Sequence, residues 1–177
     1  MKIIAFAGSN SSHSINKKLA TYAASLFDDA EIEVLDLNDF PMPLFSIDIE
    51  KEKGHPESSQ RFLDKIAAAD MLVISLAENN SSFNVGFKNI FDWNSRIAPT
   101  QFQNKPILLM ATSPGKRGGA SVLEAGHTIF PFHGAIIKAV FSLPSYNENF
   151  DETTGITNLG FKETLSKIIR DIQLLSV

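Results

Sequence analysis

The chain alternates between short apolar runs and segments whose apolar residues recur every three or four positions. Uninterrupted apolar runs of this length are typical of strands that are buried on both faces of a parallel sheet. A further run alternates apolar and polar residues, so one of its faces should be wetter, as in an edge strand. The buried runs are Lys2 to Ala7, Met71 to Ala77, Pro106 to Ala111 and Ala135 to Leu143, and the alternating run is Glu31 to Leu37.

Helical periodicity fills the segments between these runs. It begins near Ile15, Phe62, Phe87 and Val122, and the clearest apolar stripe extends from Phe161 to Leu175. Regular alternation of strand and helix favours a parallel sheet with helices on both faces, because right-handed crossover helices join parallel neighbours. We therefore predict a three-layer α/β sandwich in which residues 1–177 form one domain.

Two long connections interrupt the alternation. The stretches 38–57, which contains three prolines, and 144–158, which is polar, are expected to be surface loops. On the predicted third helix, Asp92 and Arg96 are four residues apart and should form an ion pair. The same helix is unusually aromatic, which predicts either core packing or a subunit interface; its apolar residues are Phe83, Phe87, Ile90, Phe91 and Trp93.

Composition and charge exclude several classes of function. The formal net charge is -4 and no basic cluster is present, which argues against a nucleic-acid partner. The absence of cysteine excludes disulfides and thiolate chemistry, and the histidines lack the spacing of a metal site. No stretch approaches the roughly 20 apolar residues of a membrane span, and no signal peptide is recognisable. We expect a cytoplasmic protein without a metal.

The first predicted loop, AGSNSSHSIN from Ala7 to Asn16, combines a glycine with hydroxyl and amide side chains and contains no acidic residue. It lies where a buried strand gives way to a helix, at the strand end where parallel sheets bind ligands. Unpaired amides at the helix start, together with its dipole, favour an anion there. A phosphate monoester is the expected ligand. The alternative is that Ser14 only caps the helix and the other serines are solvated.

Better-known phosphate loops do not match this segment. A Walker loop requires Gly-Lys followed by Ser or Thr at a fixed spacing, and the dinucleotide fingerprint requires further glycines, whereas Gly8 is the only glycine before the helix. Asp36 is then more simply a surface residue at the end of a strand than a ribose ligand. A hydroxyl-rich loop in this position is what the flavodoxin-like variant of the architecture uses to bind the phosphate of FMN.

Two further loops carry a family resemblance. The third strand leads into AENNSSFNVGFKNIFDWNSR and the fourth into ATSPGKRGGA, beginning at Ala77 and Ala111. Together with the first loop, these segments resemble the NADPH-dependent FMN reductase family, which includes quinone, azo and chromate reductases. The resemblance extends over nearly the whole chain. It implies a flavodoxin-like fold with a five-stranded parallel sheet of order 2-1-3-4-5.

Carried over to these positions, the resemblance implies a flavin site built by three loops. Ser9, Ser14 and Asn16 would bind the FMN phosphate. Residues of the second loop would lie along the isoalloxazine ring, and the third loop would close its other side. The complete implied set of cofactor-binding residues is Ser9, Ser11, Ser14, Ile15, Asn16, Ala77, Glu78, Asn79, Asn80, Ser82, Ser113 and Gly115.

The implied activity is transfer of hydride from NADPH or NADH through FMN to a small-molecule electron acceptor, such as a quinone or an azo compound. No protein side chain is then needed as a catalytic acid or base. Lys116 and Arg117 of the third loop are either a solvated pair or, since they lie beside the proposed flavin edge, a binding site for the phosphates of NADPH. The family is commonly dimeric or tetrameric through the aromatic helix, so a homodimer or homotetramer is expected. Two alternatives are an electron carrier that does not react with nicotinamides and a regulatory module without the cofactor.

The sequence also departs from the family pattern. Family members often have an arginine at the position of Ser11 and a Pro-Glu-Tyr-Asn run in place of Ala77 to Asn80. The missing arginine removes a positive charge from the phosphate site. We expect Lys17 or Lys18 to replace part of it.

Overall fold

A computed structural model describes residues 1–174. The chain forms one parallel five-stranded sheet of order β2-β1-β3-β6-β7 and two short antiparallel hairpins, β4–β5 and β8–β9. The five main strands confirm the predicted flavodoxin-like order. The strands are β1 Lys2–Gly8, β2 Glu31–Leu35, β3 Met71–Leu76, β4 Glu78–Asn79, β5 Ser82–Phe83, β6 Pro106–Thr112, β7 Ile136–Leu143, β8 Phe150–Asp151 and β9 Gly155–Ile156.

Helices connect the strands at the positions where the periodicity predicts them. Short 3₁₀ turns cover Leu37–Asp39 and Phe130–His133. In the last predicted stripe, Leu175 lies outside the described residues. The helices are α1 Ile15–Ser25, α2 Ile47–Lys53, α3 Glu57–Ala68, α4 Val85–Ile97, α5 Ala120–Ile129, α6 Tyr146–Asn149 and α7 Leu159–Leu174.

The sheet has a separate apolar core on each face. Successive side chains of β1 point to opposite faces, so Phe6 packs with Phe62 of α3, whereas Ala5 packs with Leu19 of α1. Helices α3, α4 and α5 cover the first face, and α1 and α7 cover the second. The candidate loops emerge at the carboxyl edge of the strands, between the two layers of helices.

Both connections that were expected to be loops contain regular structure, so those predictions were wrong. The first contains α2 and the second contains α6 and the hairpin β8–β9. Helix α2 has no buried residue, so no apolar stripe revealed it. It is stabilised by polar contacts instead: Ser46 caps its start, and Arg96 of α4 donates through Nε to both carboxylate oxygens of Glu50.

The ion pair predicted between Asp92 and Arg96 is also wrong. Asp92 accepts from Lys88, one turn earlier on the same helix, at 2.7 Å. Arg96 is directed toward Glu50 of α2, which approaches from the side. Asp92 therefore keeps a local partner on its own helix, whereas the contact of Arg96 with α2 replaces the predicted pair.

Burial along the chain refines two further expectations. Strand β7 is less buried than its apolar sequence predicts, because it forms an edge of the sheet and leaves Ile136 and Val140 44% and 39% exposed. The aromatic helix α4 packs inward, with Phe87, Phe91 and Trp93 in the interior, so its composition is explained by the core. Within residues 1–174, every helix is too short or too polar to cross a bilayer.

Candidate functional site

The carboxyl ends of β1, β3 and β6 lie side by side and bring three loops together. Gly8 of β1 is level with Leu76 of β3, which in turn is level with Ala111 of β6. A cavity of about 190 Å³ opens between the loops. Its lining residues are Ser9, Ser11, His13, Ser14, Ile15, Asn16, Ala77, Glu78, Thr112, Ser113 and Pro114.

The cavity thus contains most of the predicted cofactor residues. Asn79, Asn80, Ser82 and Gly115 do not line it and lie on the exposed parts of the second and third loops. Its volume is below the roughly 300 Å³ at the lower end of small-molecule sites. The cavity would therefore accommodate the phosphate end of FMN, while the remainder of the cofactor would lie along the open surface of the two outer loops.

The serines of the first loop arrange the loop backbone. Ser9 Oγ accepts from the Ser11 N–H at 3.2 Å, and Ser11 Oγ accepts from the His13 N–H at 3.3 Å. Ser14 caps α1 by accepting from the Lys17 N–H at 3.1 Å. The capping role that sequence reasoning offered as the alternative is therefore present. It is compatible with anion binding, because each hydroxyl that accepts in this way keeps a hydrogen to donate.

The start of α1 supplies further donors. The first intrahelical hydrogen bond runs from the Lys18 N–H to the Ser14 carbonyl, so the N–H groups of Ile15 and Asn16 precede the helical ladder. No acidic residue lies in the first turn, and the helix dipole adds partial positive charge there. Serines and a helix start that line one small cavity supply hydroxyls and backbone amides, a donor set that fits a phosphate monoester.

Asn16 contributes in a different way from the serines. Its side chain is buried and bonded to the sheet: Oδ1 accepts from Ser75 Oγ at 2.7 Å and from the Thr112 N–H at 2.9 Å. Nδ2 donates to the Thr112 carbonyl at 3.1 Å. The amide therefore fixes the loop to two strand ends, and the backbone N–H is the group of Asn16 best placed to reach a phosphate. Sequence reasoning did not find Ser75 or Thr112, since nothing in their spacing signals this contact.

The two lysines after the loop are both engaged in ion pairs. Lys17 Nζ lies 2.6 Å from Asp36 Oδ2, and Lys18 pairs with Glu152 of the hairpin β8–β9. The hydrogen bond from Lys17, aided by the Asn38 N–H, holds the pKa of Asp36 below its usual value despite partial burial. The negative charges of Asp36 and Glu152 therefore offset part of the positive potential of the two lysines at the cavity.

The second loop folds into the hairpin β4–β5, which the sequence patterns did not predict because its strands have two residues each. Its turn residues Asn80 and Ser81 both have positive φ, at 51° and 61°. Asn84 then caps α4 by accepting from the Gly86 N–H at 2.9 Å, and its amide donates to Asn79 at 3.1 Å. These contacts place the exposed hairpin beside the cavity.

The third loop is held from the side of α6. The Tyr146 N–H donates to the Ser113 carbonyl and the Ser145 N–H to the Gly115 carbonyl, each at 3.0 Å. Tyr146 is buried, and its hydroxyl has no hydrogen-bond partner within residues 1–174. Burial, followed by the charge of Glu152, raises the pKa of Tyr146 to about 12. The sequence predicted this segment as a surface loop flanking a site; the structure shows α6 there instead, with its backbone bonded to the third loop.

A larger cavity of about 470 Å³ lies between α1 and the hairpin β8–β9. It includes Ser14 and Lys18 but no residue of the second or third loop. Because ligands of open α/β sheets bind outside the carboxyl ends of the strands, we assign the candidate site to the smaller cavity. The side chains of residues 1–174 include no cluster of His, Asp or Glu that could bind a metal ion.

The strand order defines a flavodoxin-like α/β fold, and the hydroxyl-rich first loop lines a small pocket at the carboxyl end of β1. The family comparison makes the assignment specific. Residues 1–148 match the model of the NADPH-dependent FMN reductase family. The chain therefore belongs to that family, which confirms the resemblance seen in the three loops.

Individual relatives agree with this assignment. An NADPH:quinone oxidoreductase of Arabidopsis thaliana is 27% identical over 100% of this chain and 92% of its own length. A quinone reductase of Escherichia coli is 37% identical over 79 residues, but the match spans only 42% of that protein and 45% of this chain. The structure of FerB, a flavoenzyme NAD(P)H:(acceptor) oxidoreductase from Paracoccus denitrificans, superposes with a TM-score of 0.76 at 23% identity. That superposition covers 96% of this chain and 93% of FerB, and it shows the shared fold.

Proposed function

We propose that the protein is an FMN-dependent oxidoreductase that uses NADPH or NADH to reduce a small-molecule acceptor such as a quinone or an azo compound. The observation that carries the proposal is a pocket that the serines of the first loop and the first-turn residues of α1 line together, in a member of the FMN reductase family. When bound, FMN would accept hydride from the nicotinamide and pass electrons to the acceptor. The proposed setting is the cytoplasm, since the cysteine-free chain suits a reducing compartment.

The residues of the chain would bind and orient the cofactor. Ser9, Ser11 and Ser14 would donate hydroxyl hydrogens to the phosphate, and the amides of Ile15 and Asn16 would add the partial charge of the helix start. Glu78 and the exposed hairpin residues Asn79, Asn80 and Ser82 would lie on one side of the ring. Ser113 and Gly115, fixed by α6, would lie on the other.

Anaerobic mixing with NADPH tests this function. Protein incubated with FMN and freed of excess flavin should lose its visible flavin absorbance when NADPH is added and regain it when a quinone follows. A protein that binds FMN and stays yellow with both NADPH and NADH would be an electron carrier. A protein that binds no FMN would be a module without cofactor, for which the missing arginine at Ser11 is the supporting observation.

We further propose that the protein forms a homo-oligomer through an apolar patch beside the hairpin β4–β5. Leu44, Ile47 and Val85 are 70%, 57% and 65% exposed, and the segment that carries the first two is fixed to α4. The Trp93 Nε1–H donates to the Pro43 carbonyl at 2.8 Å, and the Phe45 N–H donates to Asn89 at 2.8 Å. Exposed apolar side chains on a rigid surface are typical of subunit contacts.

Sedimentation velocity tests the oligomer. The wild type should sediment as a dimer or tetramer, and Val85→Asp should shift it toward the monomer, because burying a carboxylate in an apolar contact is costly. Ile136→Asp, on the exposed edge strand β7, is the matched control and should leave the oligomer intact. A monomeric wild type at all concentrations would exclude the contact.

A further inference from the structure

Helix α5 begins without a capping group of its own. Its N-cap residue is Gly119, which has a positive φ of 75° and no side chain, and no acidic residue lies in its first turn. The first N–H groups of a helix have no intrahelical partner and require an acceptor from elsewhere. The N–H of Val122 most needs a protein acceptor, because that residue is buried and water does not reach it.

Glu78 supplies the missing acceptor from a distant part of the chain. Its Oε2 accepts from the Val122 N–H at 3.0 Å, although the two residues are 44 positions apart. Val122 is the third residue of α5, which is the position that a capping side chain normally contacts. A carboxylate at this end of a helix also interacts favourably with the helix dipole.

This hydrogen bond joins the second loop to the third. Glu78 begins the hairpin β4–β5, whereas α5 continues directly from the third loop. On its opposite side the third loop is bonded to Ser145 and Tyr146, as described above, and Gly118 accepts from Ser142 Oγ at 3.0 Å. Glu78 thus completes the support of that loop from the side of the cavity.

We infer that Glu78 is a positioning residue: by capping α5 across the site, its carboxylate sets the separation of the two loops that flank the flavin ring. The inference rests on the proposed function for the identity of the ligand. In this role the Glu78 carboxylate does not transfer protons, because its Oε2 accepts from the Val122 N–H. Glu78→Gln keeps an acceptor oxygen at this position, whereas Glu78→Ala removes it.

Two measurements on the full chain test the role of Glu78. The first is amide hydrogen exchange of Val122 by NMR without flavin, and the second is the FMN dissociation constant from fluorescence titration. Glu78→Ala should speed Val122 exchange about tenfold and weaken FMN binding about tenfold, as loss of a helix cap would do. Glu78→Gln should stay within about threefold of wild type in both, because the amide oxygen still accepts. Glu124→Ala, an exposed carboxylate on the same helix, should change each value less than about twofold.

The outcomes separate this inference from the proposed function. Unchanged Val122 exchange in Glu78→Ala would show that the Glu78 carboxylate does not cap α5, even if the protein binds FMN. Glu78→Gln that protects Val122 but loses as much FMN affinity as Glu78→Ala would overturn the positioning role, since Glu78 would then act through its charge. A wild type that binds no FMN would overturn the proposed function, and also the role of Glu78 at a flavin site. The exchange data would still show whether Glu78 caps α5.

Discussion

The side-chain amide of Asn16 pairs with both backbone polar groups of Thr112, 96 residues away, accepting from its N–H at 2.9 Å and donating to its carbonyl at 3.1 Å. The same amide oxygen accepts from Ser75 Oγ. One buried side chain therefore joins the first loop to the ends of β3 and β6. The three loops of the candidate site share this anchor, so their mutual geometry depends on it.

Replacing Asn16 should destabilise the protein as well as its site. Asn16→Ala leaves three buried polar groups without their partner, and we expect the free energy of unfolding to fall by about 3 kcal/mol. Ser75→Ala removes one of the three hydrogen bonds together with its donor, and should cost about 1 kcal/mol. Urea unfolding of both variants without flavin checks the values. A loss of less than about 0.5 kcal/mol in Asn16→Ala would show that the network contributes little.

The hairpin turn beside the site stores backbone strain that a glycine should relieve. Ser81 has a φ of 61°, a conformation that costs a residue with a side chain about 1 kcal/mol. Ser81→Gly should therefore stabilise the folded chain by up to about 1 kcal/mol. Ser82→Gly, one residue later in β5, is the control and should be neutral or destabilising. Equal urea midpoints for wild type and Ser81→Gly would argue against a strained turn.

The pair of Lys17 and Asp36 should make stability depend on acid pH. The folded pKa of Asp36 lies below its ordinary value, chiefly because of the hydrogen bond from Lys17. The stabilisation is therefore complete above the unfolded pKa, about 3.9, and is lost as the pH falls through the folded value. Asp36→Asn should cost about 0.5 kcal/mol at neutral pH, with the difference from wild type shrinking below pH 4.

The control for this pH dependence is Asp64→Asn, since Asp64 accepts from the neutral amide of Gln60. Urea unfolding at a series of pH values compares both variants with wild type. A difference between wild type and Asp36→Asn that stays constant down to pH 2 would contradict the ion-pair explanation.

Arg117 should distinguish the two nicotinamide cofactors. It is exposed in the third loop, shortly before α5 begins at Ala120, and its Nη2 donates to Ser121 Oγ at 2.8 Å. An arginine binds a phosphate through charge-assisted hydrogen bonds, so Arg117→Ala should raise the KM for NADPH about tenfold and that for NADH less than twofold. Lys162→Ala on α7 is the control. Equal increases for both cofactors would show that Arg117 does not recognise the 2′-phosphate.

Sequence patterns predicted the elements that bury apolar side chains. Runs such as Met71 to Leu76 are apolar because helices cover both faces of the sheet, and the stripe from Phe161 onward is explained by its contact with β7 and the neighbouring core. The sequence did not predict helix α2, because polar contacts stabilise it, including the hydrogen bond from Arg96 to Glu50. Periodicity carries no information about such contacts between elements.

The sequence indicated where the candidate site lies, but it did not reveal what individual side chains such as Asn16 and Glu78 do there. The hydroxyls and amides of the first loop indicated an anion pocket, because these groups are close together in sequence. The partners of Asn16 and Glu78 lie 96 and 44 residues away, and only the fold brings them into contact. Residue type alone cannot distinguish an amide that binds a phosphate from one that anchors a loop.

The comparison of FMN with riboflavin tests the central claim most directly. Riboflavin has the same ring but lacks the phosphate, so the two dissociation constants isolate the contribution of the first loop. Fluorescence titrations under identical conditions should show FMN binding about 100-fold more tightly, as expected for several charge-assisted hydrogen bonds to the phosphate. Equal dissociation constants for the two flavins would contradict the assignment of the serine-rich loop as the phosphate site.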